Sequence, residues 1–195
     1  MQHGGPDGNE RITASAAAVL LVLLAAEGVT ILFIRPLISE HVFIGMLLIP
    51  PVALKVGSTG WRFLRYYAGR REYVEKGPPI WWMRMLAPLV VASTTVLFAS
   101  GVALIALGPK RGLVLGLHKA SFVVWLVTTG LHVLGYVWRV PALTAADWRR
   151  DGRREVGGSF LRRTLLALTL VAGVVLAIAT VKYAAPWRHF QGGDG

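Results

Sequence analysis

Five long apolar runs constrain this chain more than any motif in it. They extend from Ile12 to Ile34, from Val42 to about Trp61, from Leu86 to Leu107, from about His118 to Val140, and over an uninterrupted core from Leu165 to Val181. A helix needs about 20 apolar residues to cross the roughly 30 Å hydrocarbon core of a bilayer. Within the 195 residues, 54% of which are hydrophobic, the apolar positions cluster in blocks instead of recurring at amphipathic intervals. An ordinary soluble domain is excluded, and the expected fold is an all-α integral membrane protein of five transmembrane helices. The first run is too long for a signal-peptide core, and its small residues Ala14, Ser15 and Ala16 precede the apolar stretch instead of following it.

A net charge of +11 suggests nucleic acid until the cations are placed. Of the 21 Lys and Arg residues, six lie between Arg62 and Arg84 and seven between Arg139 and Arg163. The intervening turns carry few. Such alternation is the positive-inside pattern. It puts both long loops and the amino end in the cytoplasm and the carboxyl end outside, and it leaves no reason to invoke nucleic acid. The absence of cysteine excludes disulfides, thiolate-bound metals, iron–sulfur clusters and covalently attached haem, so any redox group must be held non-covalently.

The chain repeats itself. His41 opens HVFIGMLLIPPVALKVGSTGWR and His118 opens HKASFVVWLVTTGLHVLGYVWR, and without a gap His41/His118, Leu54/Leu131, Val56/Val133, Trp61/Trp138 and Arg62/Arg139 coincide. Lys55 falls opposite His132. The preceding spans share a weaker pattern, Glu27-Gly28-Val29-Thr30-Ile31-Leu32 against Ser100-Gly101-Val102-Ala103-Leu104-Ile105. Two helix pairs and an unpaired fifth helix follow, with spans two and four running parallel. The expected division is a four-helix bundle over 1–140, a basic cytoplasmic loop over 141–163, and the fifth helix with a short outer tail over 164–195. Pro50-Pro51 is expected to kink span two and so to redirect Lys55. A short surface helix is expected within Asp147 to Glu155, and Trp61, Tyr66, Tyr67, Trp81 and Trp82 suit an interfacial belt.

Fourteen residues are nearly four helical turns, so His118 and His132 share one face about 21 Å apart at 1.5 Å per residue. His41 and Lys55 repeat that spacing on the sister helix. Parallel copies therefore present His41 level with His118 near one surface, and Lys55 level with His132 toward the other. One imidazole on each of two facing helices is what a low-spin haem iron needs as axial ligands. Gly28 and Gly101 would leave room for a porphyrin beside the flanking helices. Glu27, a second intramembrane charge, has three readings: a carboxyl bonded to a neighbouring helix, a proton carrier linked to quinone, or a partner for Lys55. Ser58 and Thr59 can bind a quinone or a propionate, or cap their own backbone.

The H-x13-H pattern on a span ending in Trp-Arg, preceded by a helix with a small-Gly-apolar motif, resembles the bacterial four-helix di-haem b-type cytochromes. These include the membrane subunits of formate dehydrogenase and nickel–iron hydrogenase and the ascorbate-reducible and ferric-reductase cytochromes. LHKASFVVWLVTTGLHVLGY is similar to the second ligand-bearing helix of small actinobacterial members. The resemblance covers spans one to four and implies haem b at two depths, with His41, His118 and His132 as iron ligands. Lys55 departs from it at the fourth ligand position. Three readings stand: an axial amine, a salt bridge to a propionate or carboxylate, or a missing inner haem.

The chain carries no GxGxxG fingerprint and no P-loop. The implied function is an electron-transfer subunit of an oxidoreductase in a bacterial plasma membrane. It would work between menaquinone or ubiquinone and a separate redox partner subunit, surrounded by lipid and with oligomers allowed. The alternative is a haem-free or single-haem scaffold or anchor subunit.

Overall fold

The computed structural model describes residues 5–78, 80–110, 112–149 and 156–190, with backbone alone for 146–148. Among them are no strands, and five helical segments are long and apolar enough to cross a membrane. The protein is therefore an all-α, multi-pass membrane protein.

Helix α1 spans Gly5–Leu32 and α2 spans Ile38–Tyr67. After a short helix α3 (Arg71–Glu75), α4 spans Trp81–Leu107 and α5 Gly112–Tyr136. A 3-10 turn over Val137–Arg139 leads into α6 (Val140–Trp148). Helix α7 spans Ser159–Thr180 and ends in a 3-10 segment, Val181–Trp187. Gly108, at φ 76°, closes α4 with its N–H on the Leu104 carbonyl at 2.9 Å, a left-handed conformation that only glycine adopts cheaply.

Several helix limits differ from expectation, and the proline pair does not interrupt α2. Helix α1 begins seven residues before its apolar run, because its polar first turns are held by partners on other elements. Helix α2 continues unbroken through Pro50 and Pro51, the latter fully buried. The fourth span does not stop at Val140 but turns through the 3-10 segment into α6, which folds back along α1. The expected surface helix from Asp147 to Glu155 lies mostly outside the described residues, and α6 ends just inside its start.

Packing also revises the expected bundle. Helices α1 and α7 flank α2 about equally, so the fifth span is an integral neighbour of span two. A methyl added at Gly173 would run into the Leu47 backbone carbonyl, and Ala177 and Ala184 are fully buried, so small residues set this close crossing. Helix α5 packs along α4 and hardly touches α2. The α4–α5 contact is polar at its centre: Trp125 Nε1 donates to Thr94 Oγ1 at 3.1 Å, and Ser93 and Thr128 share a hydroxyl bond of 3.2 Å. Apolar side chains that elsewhere would form a core point outward, Val22 at 71% and Leu113 at 92% exposure, as lipid-facing residues do.

The end of the molecule bearing the two basic loops is tied by acids on α1. Lys76 sits between Asp7 and Glu10, and Glu10 also accepts from Arg139 at 3.1 Å. Arg65 lies over the Trp61 ring at 4.2 Å, within the expected aromatic belt.

Candidate functional site

At the opposite end, the first hairpin brings α1 against the start of α2. Glu27 and Thr30, nearly one turn apart, face His41. The His41 Nδ1 lies 2.8 Å from Glu27 Oε1 and 3.1 Å from Thr30 Oγ1. Thr30 in turn donates to the Glu27 carbonyl at 2.7 Å and to Glu27 Oε2 at 3.1 Å. Both residues are buried, so the carboxylate is aimed by its own helix.

The second hairpin repeats the device with different chemistry. His118 Nδ1 lies 3.2 Å from the Leu97 carbonyl and 3.1 Å from Ser100 Oγ. A carbonyl only accepts, so that nitrogen carries the proton and Nε2 keeps its lone pair. Glu27 and Ser100 are the equivalent positions of the weaker sequence repeat, and each holds the histidine of its own hairpin. Anchoring of the far ring nitrogen by a carboxylate or carbonyl is the arrangement that orients metal-binding histidines.

The two rings meet across the space between α2 and α5. Their centroids are 6.4 Å apart and their planes cross at 81°. A metal–imidazole bond of about 2.0–2.1 Å, plus roughly 1.1 Å from nitrogen to ring centre, places two imidazoles on opposite sides of one metal about 6.3 Å apart. Among the described residues no three His, Asp or Glu side chains gather as a metal site. Two histidines are too few for a bare ion but are the complement of a porphyrin, which supplies four nitrogens itself.

The glycines play unequal parts. A methyl on Gly101 would sit 3.2 Å from His118 Cε1, so Gly101 makes room for the histidine ring itself. Gly28 has nothing within 4 Å of such a methyl and borders open space.

The other level of the repeat is also in register, with Lys55 and His132 within electrostatic reach. Lys55 does not meet Glu27: its Nζ reaches toward the Thr13 carbonyl at 3.5 Å, and Thr13 lies 14 residues, about 21 Å, from Glu27 along α1. Unbroken helices put each group opposite its counterpart, so Glu27 belongs to His41. Ser58 caps the Lys55 carbonyl at 3.0 Å and shares a 2.8 Å bond with Thr13, while Asn9 donates to the Ser58 carbonyl at 2.9 Å. His132 contacts the Tyr136 ring, with centroids 5.2 Å apart, and its buried Nδ1 has no hydrogen-bond partner among the described residues.

Sequence reasoning had no role for Thr30, Ser100, Thr13 or Asn9. The signal for the first two was present in the aligned α1 and α4 patterns, and the 14-residue spacing of Thr13 and Glu27 mirrors that of Lys55 and His41. No known protein family matches the chain, and no curated protein or solved structure is significantly similar to it.

Proposed function

We propose that this chain is a membrane b-type cytochrome that holds haem b between α2 and α5 and passes electrons between the quinone pool and a separate redox partner subunit. The observation that carries this reading is the His41–His118 pair, whose 6.4 Å separation suits axial ligands of one iron. Bound haem would supply reversible one-electron chemistry. The protein's part is to keep both ligands neutral, oriented and shielded from water.

Each hairpin fixes its own histidine, so the ligand pair exists before any cofactor arrives. A carboxylate behind His41 makes that imidazole the more electron-rich of the two, whereas a carbonyl and a hydroxyl serve His118. The charge pattern supports an orientation with this site toward the outer face of a bacterial plasma membrane and the amino end and basic loops in the cytoplasm.

At the other level the repeat carries Lys55 in place of a second histidine, which favours one haem per chain over two. A single-haem anchor subunit of a larger complex is the second form of the same reading. Purified protein should give a reduced-minus-oxidised b-type spectrum, and a pyridine haemochrome assay should return one haem per chain. His118→Ala should abolish it, and an unaltered spectrum in that variant would reject the ligand assignment.

A further inference from the structure

We infer that Lys55, His132 and Thr129 form a carboxylate-binding site between α2 and α5, in the half of the molecule nearer the basic loops. The inference stands whether or not His41 and His118 hold haem.

Lys55 lies six residues, about 9 Å, inside Trp61, below the level at which an interfacial tryptophan meets the headgroups. An ammonium at that depth requires a counter-charge or several acceptors. It has neither: among the described residues no carboxylate pairs with Lys55, and its one polar contact is the long 3.5 Å approach to the Thr13 carbonyl.

The helix across the gap shows the complementary deficit. His132 Nδ1 and Thr129 Oγ1 are both buried without a partner among the described residues, and residues three apart share one side of a helix. A hydroxyl at a helical position ordinarily satisfies itself on the preceding turn, as Thr128 does on the Val124 carbonyl at 2.9 Å. Thr129 does not.

The three groups have donors to give: three N–H on the ammonium, one O–H on the threonine and one N–H on the imidazole. The ligand that fits must offer acceptors and negative charge. A carboxylate has both, with about four lone-pair sites on two oxygens. A phosphate headgroup would have to leave the interface, whereas a carboxylate attached to an apolar body reaches this depth. The carboxylate of a membrane fatty acid presents that chemistry.

The test uses full-length protein in phosphatidylcholine nanodiscs, with labelled oleate and its methyl ester as probes and haem stoichiometry measured in parallel. Lys55→Met, His132→Gln and Thr129→Val are the variants. Oleate should bind at least about 10-fold more tightly than methyl oleate, and Lys55→Met should remove that preference. Should Lys55→Met fail to fold, Thr129→Val and His132→Gln must each weaken the same binding several-fold. Equal binding of acid and ester overturns the inference, as does wild-type behaviour of all three variants.

Discussion

Glu27 Oε1 stands 2.8 Å from His41 Nδ1, a contact between a buried carboxylate and a half-buried imidazole on adjacent helices. Its counterpart in the second hairpin is Ser100 on His118 at 3.1 Å. The two copies of the repeat thus keep one geometry and differ in charge, which gives the two histidines unequal surroundings.

Replacing Glu27 by Gln keeps a hydrogen-bond partner and removes the charge behind His41. Loss of a partner of this kind changes metal affinity by about 10–100-fold. If that change falls on the oxidised form, a tenfold step equals about 59 mV for one electron, so the haem potential should rise by roughly 60–120 mV. Redox titration of the purified variant checks this. Thr30→Val should move the potential in the same direction by less, because Thr30 orients the carboxylate.

Gly101→Ala should disturb the site without disturbing the fold. The added methyl would lie 3.2 Å from His118 Cε1, while the same change at Gly60 meets nothing within 4 Å. The expected result is a several-fold lower haem content for Gly101→Ala and wild-type content for Gly60→Ala, with both variants equally well expressed.

Gly173→Ala should do the reverse. Its methyl would collide with the Leu47 backbone carbonyl, which cannot rotate away, so α2 and α7 must separate. Overpacking of this kind costs about 1–3 kcal/mol. Thermal unfolding in detergent should show the loss in haem-free protein as well as in the loaded form.

The acid clasp at the basic end predicts an alkaline transition. Burial disfavours the charged form of Lys76, but hydrogen bonds and charge from Asp7 and Glu10 outweigh it and raise its pKa above the usual lysine value. A raised value means that the stabilisation is complete below the unfolded-state pKa of about 10.4 and is lost as pH climbs through the folded-state pKa. Because the pair is partly solvated, it contributes on the order of 1 kcal/mol or less. The stability difference between wild type and Lys76→Met should be constant from neutral pH to about 10 and shrink above it; a difference that grows with pH would contradict the assignment.

The membrane fold was legible because lipid imposes length and apolarity on each span, and those are properties of composition. The pairing of His41 with His118 was legible for a different reason: a 14-residue repeat on two parallel helices carries depth information in the sequence itself. The partners of those histidines were not. Glu27 could have met Lys55 had the proline pair broken α2, and only the continuous helix assigns it to His41. The place of α7 was equally hidden, since an apolar helix with a glycine in it does not announce which neighbour that glycine touches. Gly173 against Leu47 is a property of the crossing, not of either segment.

The most direct test of the central claim is the haem content and optical spectrum of purified wild-type protein beside His41→Ala and His118→Ala. The account predicts a low-spin b-type spectrum at one haem per chain in the wild type and its loss in each single variant, with helical content retained. Haem-free wild-type protein from cells supplied with haem, or a low-spin spectrum that survives both substitutions, would contradict it.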